Sequence, residues 1–360
     1  MRVGLVIYGS LETLTGGYLY DRALVNYLKA RGDEVEVISL PWRTYGRHLT
    51  DNLSSSLRRR LQNAEFDLLI QDELNHPSLF LINRLLKKRI AYPIVTIVHL
   101  LRASESRLSW LNRMYGALEQ QYLKTVDGAI FNCHTTRRAV ERLLKRKLPG
   151  IVAYPGRDRL IPAVSVEELT RRALGPGPLR IIFLANVVPN KGLNVLLDAL
   201  NQLPLRSWHL TVAGSLTMNP AYVRTIRHQI TRAGLSNHVE MIGAMPHDKV
   251  PELLARSHVL AVPSYYEAIG MAYLEAMGFG LPVIASRAGG AREIITHGEQ
   301  GFLVAPGDAN SIAGYLREIE QDRPRLIEMS RSASKRFSAH PTWEQSLGDI
   351  REFLQTLIRK

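Results

Sequence analysis

The chain has 360 residues, 46% of them hydrophobic and 22% charged, which is globular composition rather than that of a disordered or fibrous protein. This length predicts two domains rather than one core. The net charge is +13 and uneven: residues 1–160 hold 25 Lys/Arg against 15 Asp/Glu (+10), residues 161–360 hold 21 against 18 (+3).

A single cysteine, Cys133, excludes an internal disulfide framework and a thiolate-rich metal site, and fits a reducing cytoplasm. No apolar run approaches the roughly 20 residues of a membrane span. Met1-Arg2 leads directly into Val3–Tyr8, which reads as a first strand rather than a signal peptide. The basic first half predicts an anionic partner, either phosphorylated substrate, anionic lipid or nucleic acid, with simple solubility as the plainer reading.

Short β-rich runs recur along the first half at 2–8, 35–40, 66–71, 93–99, 128–132 and 151–154. Helical patterns separate them, such as Tyr18–Ala30 with Leu19, Ala23, Leu24, Tyr27 and Leu28 on one face. Ala173-Leu-Gly-Pro-Gly-Pro178 reads as a linker. The alternation then restarts with runs at 180–186, 208–213, 239–243, 258–263, 282–286 and 302–304, and helices at 192–202, 220–233, 248–256, 270–279 and 309–321. This predicts an α/β protein of two Rossmann-like domains, about 1–172 and 173–337. Ligand crevices fall at the carboxyl ends of parallel strands, and if those ends face each other the ligand lies between the domains.

In the first domain, Gly16-Gly17 follow the first strand and open a helix, as many tight turns do. The strand Pro93–His99 ends in a histidine, which on its own reads as structural. Cys133 after the run 128–132 reads as a packing residue. Arg58–Arg60, Lys87–Arg89 and the amphipathic stretch Arg137–Lys147 supply most of the excess charge, as a solvated face or an attachment to anionic lipid.

The second domain's first strand is followed by Asn186-Val-Val-Pro-Asn-Lys191-Gly192. A lysine at a helix start is electrostatically unfavourable without a nearby anion, unless it is simply solvated. Further on, Pro263–Ser286 reads PSYYEAIGMAYLEAMGFGLPVIAS. The helix that starts near Gly270 is apolar almost all round and should be buried, with Glu275 its only charge. A buried carboxylate needs a hydrogen-bonding partner, either sugar hydroxyls or an arginine elsewhere in the core. The helix start at Gly270-Met271 is a seat for phosphate. The 11 histidines form no i, i+4 pair around an acid, and no Asp-x-Asp ends a strand, so no metal site is expected.

The stretch Pro263–Ser286, the following Gly289-Gly290-Ala-Arg-Glu293, and Gly301-Phe-Leu-Val-Ala-Pro-Gly-Asp308 together resemble retaining glycosyltransferase family 4, of GT-B fold. Its hallmark is two glutamates separated by seven residues, the spacing of Glu267 and Glu275. The resemblance implies two facing Rossmann-like domains with an interdomain cleft, and a last helix (within 338–360) that packs back on the first domain. It implies an enzyme without cofactor or metal that takes a nucleotide-diphosphate sugar to an unidentified glycan, lipid-linked or small acceptor. Glu275 would bind the donor ribose, Glu267 would face the sugar, and Ala268 and Ile269 would bind the donor beside it. The Gly270-Met271 backbone and Lys191 would hold the diphosphate, and backbone near Gly243-Met245 the base. His99 would contact the transferred sugar and Gly16-Gly17 would pack against donor and acceptor. The family pairs its lysine with an arginine, where this chain has Asn186. Protein cations and helix dipoles would replace a metal at the leaving diphosphate. Two other classes compete: a catalytically silent nucleotide-sugar-binding protein, for which Asn186 is the only hint, and a basic nucleic-acid-binding protein. No recognition motif supports the latter, so no nucleic acid is expected. The expected location is cytoplasmic, including peripheral attachment to the inner membrane face.

Overall fold

The computed structural model describes residues 1–358 apart from 106 and 163. Its packing divides the chain into two units, Met1–Gly156 with Pro341–Lys360, and Arg157–His340.

Unit 1 is built on six parallel strands: β1 Arg2–Tyr8, β2 Glu34–Leu40, β3 Leu68–Asp72, β4 Ile94–Val98, β5 Gly128–Phe131 and β6 Gly150–Val152. Their order is β2-β1-β3-β4-β5-β6. The central strands are buried throughout because helices cover both faces, which is why Ile94-Val-Thr-Ile-Val98 is a continuous apolar run broken only by Thr96. Period-2 alternation sends Val6, Leu69, Ile94, Val98 and Phe131 to one layer of the core. Leu5, Ile7, Ile70, Val95, Ile97 and Ile130 go to the other. The helix Trp343–Ile358 closes that second layer with Leu347, Ile350 and Leu354, against Leu24 and Leu28 of the helix Gly16–Ala30. Arg351 and the terminal ammonium of Met1 both bind Asp33, at 2.7 and 2.8 Å.

Unit 2 repeats the plan with β7 Leu179–Leu184, β8 Trp208–Ala213, β9 Val239–Gly243, β10 Val259–Val262, β11 Val283–Ser286 and β12 Gly301–Val304. The order is β12-β11-β10-β7-β8-β9, all parallel. In each sheet the strand order reverses once, between β1 and β3 and between β7 and β10. Loops leaving the carboxyl ends of those strands splay to opposite faces and open a crevice there.

Three sequence expectations change. The division falls at 156/157 rather than 172/173. The helix Val166–Leu174 buries Leu169 and Ala173 in unit 2, and Arg172 donates to the carbonyls of Gly280 (3.0 Å) and Ala255 (3.2 Å). The Gly-Pro-rich run that reads as a linker is therefore a helix-to-strand turn within unit 2, a place where the same residue types are equally favoured. The basic stretch 137–147 is a helix only over His134–Leu144, and Lys145 ends it in the left-handed conformation at φ 55°. Cys133 is buried and caps that helix by accepting from the Thr136 N–H. The helix Arg323–Ser338, not set apart in the sequence pattern, buries Leu326, Met329, Ala333 and Phe337.

Candidate functional site

In unit 2 the chain leaves β7 and turns through Pro189–Lys191 into the helix Leu193–Leu200. The turn is tight: Gly192 has φ +71°, and a Cβ there would lie 2.3 Å from the Pro263 carbonyl at the end of β10. That approach brings Lys191 to the loop after β10, where its Nζ lies 2.5 Å from Glu267 Oε2. Both side chains are partly open, at 26% and 18% exposure. Ser264 Oγ donates to the same carboxylate at 3.3 Å. The anion that a lysine needs at this helix start is therefore Glu267 itself. Gly289 and Gly290 lock the loop from the other side. Gly290 N–H donates to the Glu267 carbonyl at 3.0 Å, and a Cβ on Gly289 would stand 1.9 Å from that oxygen.

Ala268 and Ile269 are buried and lead to Gly270, which takes φ +75° and starts the helix Met271–Gly278 without a side-chain cap. The first-turn N–H groups of a helix have no intrahelical acceptor, so Gly270-Met271 presents donors and the positive end of a dipole. Tyr273 ties the helix to β10 through its hydroxyl, which donates to the Val262 carbonyl at 2.8 Å. The helix is buried as its composition predicts, and Glu275 within it is 7% exposed. Its partner is Arg159, whose Nε donates to Oε1 at 2.5 Å. Of the two partners open to Glu275 in the sequence, the structure holds the arginine. His247 stands near this pair; burial and then the positive charge of Arg159 depress its pKa.

Asn186, just past β7, accepts the Ser215 N–H on Oδ1 at 3.0 Å and so joins the loops after β7 and β8. Gly214 lies between, where a Cβ would sit 2.0 Å from the Ala185 carbonyl. The Gly214 N–H in turn donates to Gly243 at the end of β9, with half-buried Met245 two residues on. Asn186, Lys191, Gly243, Met245 and Glu267–Met271 thus all lie at the carboxyl ends of β7, β9 and β10, and Glu275 follows in the adjoining helix.

In unit 1, Gly16-Gly17 open the helix after β1, and a Cβ on Gly17 would press within 3.1 Å of the His99 ring. His99 follows β4, is 17% exposed on its side chain, and contacts Asp21 Oδ1 through Nε2 at 2.9 Å. Burial acts to lower its pKa, but the charge and hydrogen bond of Asp21, with Asp72 and Glu73 adding, raise it to about 9. Asp72 itself is raised to about 7 by burial and then by Asp21. A second acid cluster, Glu73, His76 and Glu119, lies deeper. Burial, then the neighbouring Glu73, lifts Glu119 to about 8, and burial lowers His76 to about 4. Arg159, Asp21 and this second cluster carry no sequence signal of their own. Arg159 meets Glu275 across 116 positions and Asp21 meets His99 across 78.

Residues 167–336, most of unit 2, match the model of the family described as glycosyl transferases group 1. Two curated relatives match part of the chain. One is the GDP-mannose-dependent alpha-(1-6)-phosphatidylinositol monomannoside mannosyltransferase of Mycobacterium tuberculosis, 29% identical over 55% of this chain and 53% of that protein. The other is the lipopolysaccharide core biosynthesis mannosyltransferase LpsB of Rhizobium meliloti, 28% identical over 59% of this chain and 62% of that protein. The match therefore spans little more than half the length of these relatives. Among solved structures, sucrose-phosphate synthase from Thermosynechococcus elongatus aligns over 99% of both chains with a TM-score of 0.84 at 18% identity. Anabaena HepE in complex with UDP-glucose aligns over 99% of this chain and all of its own, with a TM-score of 0.76 at 22% identity. At these identities the likeness is one of fold, that of GT-B glycosyltransferases.

Proposed function

We propose that the chain is a retaining glycosyltransferase that moves a sugar from a nucleotide-diphosphate donor to an acceptor hydroxyl. The observation that carries this reading is the pair Lys191–Glu267, 2.5 Å apart beside the uncapped helix start at Gly270. It sets one cation and a row of backbone donors where a diphosphate can lie, next to a carboxylate that can take sugar hydroxyls. Lys191 and the Met271 N–H stabilise the leaving diphosphate, Glu267 faces the sugar, and Glu275 takes the ribose hydroxyls while Arg159 holds its other edge. Backbone at Gly243-Met245 meets the base. Within unit 1, His99 keeps its ring protonated beside Asp21, over the close approach allowed by Gly17. No side chain of this constellation is set as a covalent nucleophile. The acceptor oxygen therefore forms its bond to the anomeric carbon on the face from which the phosphate oxygen departs, and that oxygen accepts the acceptor's proton. Protein cations do the work of a donor-bound metal, so turnover survives EDTA.

HepE holds UDP-glucose and the mycobacterial relative is named for GDP-mannose, so the base is a question for experiment. Thermal shift of the full chain with UDP and GDP tests the reading. A diphosphate at 100 times its Kd adds roughly 2.7 kcal/mol of stability. Stabilisation by neither, with no sugar transfer from either donor class, would remove the proposal.

A specific observation also favours an anionic membrane as partner of unit 1. Leu108 and Trp110 are 66% and 62% exposed, with Met114 one turn on, and Arg107 and Arg113 flank them. Apolar anchors between cations suit an interfacial position at the cytoplasmic leaflet, and one relative is named for phosphatidylinositol monomannoside, the other for lipopolysaccharide core biosynthesis. Sedimentation with anionic but not neutral vesicles, fading as salt screens charge, is expected; equal behaviour with both would return these residues to ordinary surface.

A further inference from the structure

We propose that Arg172, Arg180 and Arg323 form a second binding site in unit 2, for the phosphoryl group of a small phosphorylated molecule. Arg180 is the second residue of β7, whereas Asn186 stands just past that strand's carboxyl end. At about 3.3 Å per residue the two are roughly 20 Å apart, which separates this site from the loop of Lys191 and Glu267. Arg172 comes from the helix Val166–Leu174, and Arg323 begins the helix Arg323–Ser338. All three arginines are half-buried, and among the described residues none has a carboxylate in ion-pair contact.

Hydrogen bonds bring the three together. Arg172 Nη1 and Arg180 Nε donate to the consecutive carbonyls of Ala255 (3.2 Å) and Arg256 (2.5 Å), which end the helix Val250–Arg256. Arg323 Nη2 donates at 3.5 Å to the carbonyl of Gly177, three residues before Arg180. His258, 1% exposed, ties the first two to each other. Its Nδ1 accepts the Arg180 N–H at 2.9 Å, which leaves the ring proton on Nε2 to donate to the Arg172 carbonyl at 2.8 Å. The charges are close enough to oppose one another. Burial and then Arg180 lower Arg172 to about 10, and burial and then Arg323 lower Arg180. Burial and then Arg180 hold His258 down at about 3, so its ring stays neutral.

What points to an anion is an unused donor together with unmatched charge. Arg323 Nη1 is buried without a hydrogen-bond partner, and native structures satisfy the great majority of such atoms. The other guanidinium bonds go to backbone at helix ends. Besides Ala255 and Arg256 these are Gly280, just past the helix Met271–Gly278, and Glu320, in the last turn of the helix Ala309–Gln321. A helix end carries roughly half a negative charge, so three of them offset only about half of the charge of three arginines. The nearby acids do not supply the rest. Glu168 pairs with Arg171 at 3.7 Å, Asp322 caps its helix by accepting the Arg325 N–H at 2.8 Å, and Glu320 acts on Arg323 without an ion-pair contact. A phosphate monoester brings about −1.5 to −2 and three acceptor oxygens. Planar guanidinium forks match those oxygens, and Arg323 Nη1 gains the acceptor it lacks.

The test titrates inorganic phosphate and glycerol phosphate into the full chain, with NaCl of matched ionic strength as the control. One saturating site per chain is expected. Arg323→Gln and Arg180→Gln keep a donor for the carbonyls and remove the charge, so each should weaken binding at least tenfold. Lys191→Ala, which strips the candidate diphosphate seat, should leave it unchanged. Should the arginine variants fail to fold, phenylglyoxal reads the wild type directly: phosphate should shield Arg172, Arg180 and Arg323 from modification, located by peptide mass. Binding no stronger than that of chloride overturns the site, as does binding that both arginine variants leave unchanged or an absence of shielding. Phosphatidic acid vesicles offer the same group from a lipid. Retention on them without binding of the soluble ester would overturn the small-molecule site in favour of a headgroup.

Discussion

In unit 2 the two site carboxylates each have a cation, Lys191 on Glu267 and Arg159 on Glu275, both at 2.5 Å. In unit 1, Asp72, Glu73 and Glu119 are buried with no lysine or arginine in ion-pair contact among the described residues; burial holds Asp72 at about 7 and Glu119 at about 8. A paired carboxylate can stay charged in a poorly solvated place, whereas an unpaired one takes up a proton instead. Unit 2 is thus arranged to present fixed charge, the property needed beside a departing diphosphate. Unit 1 hides exchangeable protons behind one charged ring, His99. Experiments that remove one partner at a time show whether this contrast is functional.

The largest effect should come from Lys191→Ala. Charge concentrates on the β-phosphate as the donor breaks, and preorganised donors of this kind are worth roughly 10²–10³ in rate. The substitution also leaves Glu267 with Ser264 alone, at 3.3 Å. Steady-state kinetics with an accepted donor should show at least that loss in kcat/KM. A value within a few-fold of wild type would place the diphosphate elsewhere.

Next comes the ion pair of unit 1. The His99 pKa is raised in the folded chain, so its stabilising contribution is complete below about 6.5 and disappears as pH climbs through about 9. The charges around it are Asp21 on the opening helix and Asp72 and Glu73 after β3. A shift of this size corresponds to something on the order of 3 kcal/mol. Melting curves of wild type and Asp21→Asn should therefore differ most near pH 6, draw together as pH rises through about 9, and converge above it. Parallel curves across that range would mean the ring is neutral in the folded protein.

The strands were legible throughout, each within about two residues, because runs such as Ile94–Val98 can only be buried parallel strands between helix layers. The helix bearing Glu275 was legible as buried for the same reason, by composition alone. What composition cannot carry is the identity of a partner. A lone acid on an apolar helix announces that something meets it, but Arg159 lies 116 residues earlier in an unremarkable turn. The Gly-Pro run at 175–178 misplaced the domain boundary, since helix-to-strand turns and interdomain linkers use the same residues for the same conformational reason.

Glu275→Gln tests the second pair of unit 2 with a smaller expected effect. It removes charge-assisted hydrogen bonds to the donor, worth roughly 1.5–3 kcal/mol, and leaves Arg159 facing an amide. Calorimetric titration of the nucleotide diphosphate should show correspondingly weaker binding with little change in fold. Equal affinity would mean that Glu275 serves only to hold Arg159 and the helix in place.

The smallest effect is expected at Asn186, where unit 2 has a neutral side chain instead of the second cation that family resemblance leads one to expect. Adding Asn186→Arg to the Lys191→Ala protein should return a positive charge to the loop after β7 and recover part of the lost rate. The structure also states the cost. Asn186 Oδ1 accepts the Ser215 N–H at 3.0 Å, and a guanidinium has no acceptor to replace it. Loss of that bond should destabilise the fold by about 1 kcal/mol. Asn186→Arg alone should therefore melt slightly lower while binding nucleotide diphosphate more tightly, and thermal shift with and without ligand separates the two contributions. If the variant loses stability and gains no affinity, the position braces the β7 and β8 loops and does not face the diphosphate. Lys191 would then be the sole side-chain cation of that loop in the site.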